Sequence, residues 1–209
     1  MVRPLPTARW GLGVAAGPNG KLYAIGGGVG TAMESSTVEE YDPTTDTWAV
    51  RAGLLRPKFG AAAVGAPNGR IYVVGGFGIG ADTEELQEYD PLTDALVLRA
   101  PMPWHIESLA LAPSVRQGFL ALGGCMCSGS TALKFVYEYV PETNRWVERQ
   151  PMPTARDSAG AALGPDGRLY VIGGHDYYNP SAGARVEALR FATHEVAFPL
   201  VLRGYLAPR

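Results

Sequence analysis

The sequence is poor in cysteine and in charge, and each shortage excludes a class of protein. It has only two cysteines, Cys125 and Cys127, which lie too close in the chain to staple a disulfide scaffold. Charged residues make up 18% of the chain and the formal net charge is −2, so no basic bias favours nucleic acid or acidic lipid. No apolar run approaches the roughly 20 residues of a membrane helix, so we expect no membrane partner.

The N-terminal residues also lack a visible targeting signal. Arg3 is not followed by the apolar stretch of about 7–15 residues that a secretory signal requires. Two thiols without a disulfide framework favour a reducing compartment. Together these observations favour a cytoplasmic location.

Glycine and proline are abundant instead, with 27 and 17 residues. This is typical of a turn-rich β protein. Hydrophobic residues make up 46% of the chain, which disfavours wholesale disorder and allows a sizeable core. No window shows a sustained helical period, so we predict almost no helix.

The chain contains four copies of one pattern, spaced by about 50 residues. Each copy has a β-rich run that ends in a glycine pair, at 26–27, 75–76, 123–124 and 173–174. Asn-Gly or Asp-Gly precedes three of these runs and is typical of a tight hairpin turn. A tyrosine follows each of the first three pairs, and then a large apolar residue: Tyr41 and Trp48, Tyr89 and Leu96, Tyr139 and Trp146.

Each copy predicts four short strands, a to d, in which hairpins join a to b and c to d. Four such units at this period indicate the blades of a β-propeller. We expect strands a at 12–16, 61–65, 108–112 and 158–162. We expect one domain over 1–209, with repeats of approximately 7–55, 56–103, 104–153 and 154–203.

These motifs resemble those of kelch-repeat proteins. The arginine before strand a, the glycine pair, the tyrosine and the spaced tryptophan all match, with departures at Leu96 and Ile106. The resemblance implies an all-β, kelch-type β-propeller with four blades of four antiparallel strands. We expect the glycine pairs to allow close backbone approach and the tyrosines and tryptophans to fill the space between blades.

Antiparallel order places the b–c and d–a loops on one face, here called the rim face. These loops are longer and more varied than the opposite turns, and binding residues concentrate in such loops. The residue after each glycine pair (Gly28, Phe77, Cys125 or His175) is expected to ring the mouth of the central channel.

Arginines before strand a are the first candidate ligand anchors. We assign this position to Arg9, Arg56 and Arg156, with His105 and Ile106 in the third repeat. Three guanidinium groups on one rim would bind the carboxylates of an acidic segment. The alternative is that each arginine only binds the carbonyls of its own loop.

Aromatic and metal-capable side chains are the other candidates on this face. Trp104, Phe77, Tyr177 and Tyr178 could stack on a sugar or a peptide, or simply pack against the rim. Cys125, Cys127, His105, His175 and Asp176 carry metal-capable atoms, but they do not form a metal-ligand pattern. A Cys–His nucleophile would need one of the cysteines with His175. We assign no catalytic residue, metal or cofactor.

Three functions remain open. The one we favour, implied by the resemblance, is a non-catalytic module that binds a peptide or an acidic or polar protein segment on the rim face. The alternatives are a carbohydrate-binding or sugar-modifying propeller, and a repeat scaffold or propeller fragment without its own ligand.

The number of blades raises the question of closure. Four blades fit a closed four-blade ring or half of an eight-blade ring made by two chains, and a fragment of a longer propeller is the third outcome. Bare apolar blade flanks are disfavoured on a soluble monomer, so the second form is a homodimer with two identical seams.

Overall fold

Four four-stranded antiparallel sheets make up the structure, a computed structural model that describes residues 2–32, 34–78, 84–126, 131–179, 183–191 and 196–197. The a strands are β1 (Gly13–Ala16), β5 (Ala62–Gly65), β9 (Ala110–Pro113) and β13 (Gly160–Leu163). The b strands are β2 (Leu22–Ile25), β6 (Ile71–Val74), β10 (Phe119–Leu122) and β14 (Arg168–Ile172). The c strands are β3 (Val38–Asp42), β7 (Leu86–Asp90), β11 (Val136–Val140) and β15 (Val186–Phe191). The d strands are β4 (Thr47–Arg51), β8 (Ala95–Arg99), β12 (Arg145–Arg149) and β16 (Val196–Ala197).

Every sheet has the strand order a-b-c-d. The a strands of successive sheets contact each other, β1 with β5, β5 with β9 and β9 with β13, which places them at the centre. The predicted all-β propeller of four blades is therefore confirmed. No helix in the described ranges is long and apolar enough to cross a membrane.

Apolar clusters fill the space between successive blades. Between the second and third blades, Tyr72 packs against Phe119 and Tyr139, with ring centroids 5.0 and 5.4 Å away. Tyr23 packs against Tyr89 across the first seam, with centroids 5.6 Å apart. The repeated tyrosines thus belong to the core, as the sequence predicts.

The glycine pairs bring two backbones into close contact. Gly26 and Gly27 both have positive φ, at 65° and 92°. A Cβ on Gly26 would lie 2.6 Å from the carbonyl oxygen of Lys58 in the next blade, and one on Gly27 would lie 2.8 Å from that of Trp10. Only glycine fits both positions, which confirms the predicted close approach.

Strand a begins later than predicted in the last two blades. It starts at Ala110 and Gly160, two residues after the expected Ser108 and Ser158. Both serines have positive φ, at 55° and 51°, so they cannot continue an extended strand.

The two outermost blades each expose one flank, here called the end faces. On the first blade, Val14 and Leu22 are 61% and 43% exposed. On the fourth, Ile172 is 52% exposed, whereas its counterpart Ile25 in the first blade is 1% exposed. Among the described residues, the packing that joins successive blades therefore leaves these two apolar faces uncovered.

Candidate functional site

One side chain from each blade lies at the entrance to the centre of the propeller on the rim face. The a–b pairing of each blade extends past the glycine pair to one further backbone bridge, and these bridges are Trp10–Gly28, Phe59–Phe77, Glu107–Cys125 and Asp157–His175. The first residues of the four bridges thus occupy the same position in every blade. We call Trp10, Phe59, Glu107 and Asp157 the mouth ring.

The chemistry of the mouth ring divides into two halves. Trp10 and Phe59, from the first two blades, form an edge-to-face pair with centroids 4.3 Å apart. This pair therefore spans the seam between the first two blades. The other half is acidic, with Glu107 and Asp157 in the third and fourth blades.

Two of the predicted arginine anchors are internal. The Arg9 side chain is fully buried, donates to the carbonyl oxygens of Thr37 (3.0 Å) and Ala24 (2.9 Å), and pairs with Glu39 at 2.9 Å. Arg156 is fully buried too; it donates to the Gly173 carbonyl at 2.8 Å and pairs with Glu187 at 3.0 Å. Neither guanidinium is accessible to a partner. Both arginines bind backbone carbonyls within the chain, which is the alternative to ligand binding that the sequence left open.

The assignment of Arg56 to the same position is wrong. Trp10 and Phe59 are equivalent in the backbone bridges, so the residue before Phe59, Lys58, is the counterpart of Arg9. Lys58 is 1% exposed and its ammonium group donates to the Gly75 carbonyl at 3.2 Å. Arg56 lies two residues earlier, and its side chain is 44% exposed.

Arg56 instead lines a groove of about 400 Å³ at the outer edge of the rim face. Its guanidinium lies 3.2 Å from a carboxylate oxygen of Glu85. Glu84, Arg99 and Met102 also line this groove, so its charges are mixed.

Both predicted rim histidines lie beside carboxylates. His105 Nδ1 lies 3.5 Å from Glu84, and its Nε2 lies 3.9 Å from Oε1 of Glu107. His175 is more exposed, and its Nδ1 lies 3.9 Å from Oδ2 of Asp157. The histidines therefore add to the acidic half of the mouth rather than forming a separate site.

The predicted aromatic residues are exposed, but they do not form one cluster. Phe77 is 47% exposed beside the mouth ring, through its bridge to Phe59. Trp104 is 52% exposed and donates its indole N–H to the Tyr137 hydroxyl at 2.8 Å. Tyr177 and Tyr178 pack edge to face, with centroids 5.3 Å apart, on the b–c loop of the fourth blade.

Comparison with known proteins agrees with the repeats seen in the structure. Residues 12–54 match the profile of the Kelch motif. The chain is 33% identical to Kelch-like protein 35 of Mus musculus over 167 residues. This alignment covers 79% of this chain and 27% of that protein. It is 31% identical over 186 residues to Kelch-like protein 26 of Danio rerio, covering 85% of this chain and 29% of that protein. The chain belongs to the kelch-repeat β-propellers.

A solved structure shows the same fold. The structure of YjhT superposes on this kelch chain with a TM-score of 0.67 at 18% identity, covering 90% of this chain and 69% of that one. The kelch chain spans less than a third of the length of the curated relatives named above. It spans about two thirds of the length of this solved neighbour.

The kelch rim shows no metal centre within the ranges that the structure describes. No group of three histidine, cysteine, aspartate or glutamate side chains there could hold a metal ion. Cys125 is 5% exposed and lies in the third blade, whereas His175 lies in the fourth. Cys127, the other candidate thiol, lies outside the described residues.

Sequence reasoning missed the mouth ring, although the signal was present. It placed Phe77, Cys125 and His175 at the mouth but not their bridge partners. The a–b register pairs Gly13 with Ile25, and counting outward three residues on each strand pairs Trp10 with Gly28. Extending the hairpin register past the glycine pair therefore finds the ring.

Proposed function

We propose that the chain is a non-catalytic module that binds a peptide segment of another protein across the rim face. The observation that carries this proposal is the exposed aromatic group at the mouth. Trp10 and Phe77 are 52% and 47% exposed there, next to Phe59. Tryptophan is enriched among the residues that dominate binding energy, because its large ring is buried on association.

The mouth also offers the mixed chemistry of an interface. Glu107 and Asp157 occupy the other two positions of the mouth ring, and each has a histidine nitrogen 3.9 Å from its carboxylate. An apolar centre with polar groups around it is the usual anatomy of a protein–protein contact.

An acidic segment is not favoured by this arrangement. The acidic version of the hypothesis needs Arg9 and Arg156 at the surface, and both side chains are 0% exposed. Arg56 is the one predicted arginine anchor that is accessible, and it shares its groove with Glu84 and Glu85. The partner segment is therefore expected to be polar and not predominantly acidic.

Selection from a random peptide library displayed on phage tests the proposal. We expect the immobilised chain to select peptides whose binding is weakened by Trp10→Ala and by Phe77→Ala. The matched control is Leu92→Ala, because Leu92 is 79% exposed on the c–d hairpin at the opposite face. Peptides that bind all three variants as well as the parent would refute the assignment of the face.

A carbohydrate ligand is the second candidate, and one observation favours it. Tyr177 and Tyr178 are 70% and 74% exposed as neighbouring rings, which a sugar could stack on. A glycan array separates the candidates: binding lost in a Tyr177→Ala variant but retained in Trp10→Ala would favour the sugar.

We also propose that two chains associate through their end faces. The first end face holds an apolar groove of about 310 Å³ that includes Leu12, Val14, Leu22 and Trp48. The face of the fourth blade that carries Ile172 is equivalent to the face of the first blade that packs on the second. One chain's fourth blade thus presents the surface that another chain's first blade lacks, which supports a dimer with two identical seams.

A further inference from the structure

The acidic half of the mouth ring contains a buried carboxylate oxygen that no hydrogen bond satisfies within the described residues. Glu107 is 7% exposed, and its Oε1 has no hydrogen-bond partner within the described part of the chain. Nε2 of His105 lies 3.9 Å from this oxygen, which is too long for a hydrogen bond. A buried carboxylate oxygen left in this way is costly, and a donor that reaches it recovers that cost.

The cations nearest in sequence are committed elsewhere. Arg156, which precedes Asp157, points its guanidinium at the Gly173 carbonyl and at Glu187. Lys58, at the same position in the second blade, donates to the Gly75 carbonyl. The guanidinium of Arg156 and the ammonium of Lys58 therefore stabilise the loops behind the mouth, and the histidines beside the ring carboxylates lie 3.9 Å away from them.

Asp157 supplies a second carboxylate at the same register. Its backbone is fixed by two hydrogen bonds with His175, of 3.0 and 2.9 Å, and its side chain is 14% exposed. Burial raises the pKa of Glu107, and the charge of His105 opposes that rise. A cationic group at the mouth would favour the ionised form of Glu107.

The aromatic half provides the complementary surface for such a group. Trp10 and Phe59 present rings at the equivalent positions of the first two blades. A lysine or arginine side chain has an apolar stem and a charged end, and both a ring face and a carboxylate attract its cation.

We propose that the mouth ring binds a lysine or arginine side chain of the partner segment, with its cation at Glu107 and Asp157 and its stem against Trp10 and Phe59. This inference rests on the proposed function, because it names a residue of the partner segment. The cationic site itself is a property of the ring and is tested without a peptide.

The first experiment titrates the whole chain with n-butylammonium chloride, followed by NMR. The readouts are the Trp10 indole N–H and the backbone amides of Glu107 and Asp157. We expect saturable shifts with n-butylammonium and none with n-butanol, which has the same length but no charge. Equal shifts with both probes, or none with either, would overturn the inference.

Two isosteric variants and one control identify the carboxylates. Glu107→Gln and Asp157→Asn keep the volume, so the blades should still fold, and each should weaken n-butylammonium binding about tenfold. Glu142→Gln should have no effect, because Glu142 is exposed on a c–d hairpin at the opposite face. Unchanged binding in both mouth variants would contradict the proposal.

A second measurement separates this inference from the proposed function. Peptides selected on the rim are resynthesised with each lysine or arginine replaced by glutamine. If the replacement weakens peptide binding to the parent chain about tenfold or more, but does not weaken binding to Glu107→Gln, the inference is supported. Peptides that need Trp10 but tolerate these replacements overturn it and leave the proposed function standing. If n-butylammonium binds but no rim peptide is found, the proposed function fails and the cationic site remains.

Discussion

The hydroxyl group of Tyr89 donates a 2.8 Å hydrogen bond to Oδ1 of Asp94, at the tip of the second c–d hairpin. The same oxygen accepts the backbone N–H of Ala52, at the end of the preceding blade, at 2.9 Å. Asn144 takes this role in the third blade, where it accepts from Tyr139 and from Ala100. One side chain thus ties a core tyrosine to the neighbouring blade.

Replacing Asp94 by alanine should destabilise the fold by about 2 kcal/mol. The change removes two hydrogen bonds and leaves the Tyr89 hydroxyl unmatched. It also places alanine at a φ of 53°, a conformation that aspartate and asparagine tolerate better. The free energy of unfolding, measured in urea, tests this. Asp94→Asn is the control and should cost less than about 0.5 kcal/mol, because asparagine already works in the third blade; an equal loss in both variants would contradict the argument.

The arginines of the first two repeats should differ sharply in their contribution to stability. Arg9→Ala leaves Glu39, which is 1% exposed, as an unmatched buried charge, and such a loss costs about 3–5 kcal/mol. Arg56→Ala removes a partly exposed ion pair, which contributes less than about 1 kcal/mol. Urea unfolding of both variants decides the matter. Similar losses of unfolding free energy in the two variants would mean that burial does not determine how much Arg9 stabilises the fold.

Glu40 should make stability depend on acid pH. Burial by itself would raise its pKa, but hydrogen bonds from Arg51, Lys21 and Tyr23 outweigh burial and lower the pKa to about 2. The folded pKa therefore lies below the ordinary value of 4.5, so the stabilisation is full above pH 4.5 and is lost as pH falls towards about 2. Because a tenfold change in proton affinity corresponds to about 1.4 kcal/mol, this stabilisation amounts to roughly 3 kcal/mol.

Urea unfolding of the parent chain and Glu40→Gln across this pH range measures the effect. Glutamine mimics the protonated side chain, so the parent's advantage should shrink towards zero as the pH falls. An advantage that stays constant over the range would show that the charge of Glu40 is not responsible.

Association through the end faces predicts a particle mass near twice the 22.2 kDa of one chain. Light scattering on a gel-filtration peak measures it. Val14→Lys and Ile172→Lys should each return the mass to that of one chain, because each places a charge in the apolar seam. Leu92→Lys, away from both end faces, should not. A parent mass near 22.2 kDa would reject the dimer.

The repeat pattern alone predicts most of the fold but less of the site. The b strands match the predicted runs because their β-branched and aromatic residues sit between a turn and a glycine pair, as at Ile71–Val74. The sequence does not predict the later start of strand a in the third blade. Ser108 has a positive φ there, and serine as a residue type does not indicate that conformation. The local sequence favours an extended start there, whereas in the structure the carbonyl oxygen of Ser108 accepts a 2.9 Å hydrogen bond from the backbone N–H of Ser158 in the next blade.

The misassigned arginine has an equally physical cause. Arg56 and Lys58 are two cations two residues apart, and residue type alone favours the arginine. Only the pairing of Phe59 with Phe77 shows which one occupies the position before the bridge. The burial of Arg9 depends on Glu39, a partner on strand c that the spacing of the repeat does not reveal.

The uncovered end faces also determine how the protein should come apart. The second and third blades are packed on both sides, and every residue of β6 and β10 is buried. The fourth blade has a neighbour on one side only, and its inner strand β13 is largely exposed. In the dissociated single chain, amide hydrogen exchange should therefore be slowest in the two middle blades, and fraying should begin at the fourth blade and move inward. A covering molecule on either end face would protect amides far from any residue that it touches.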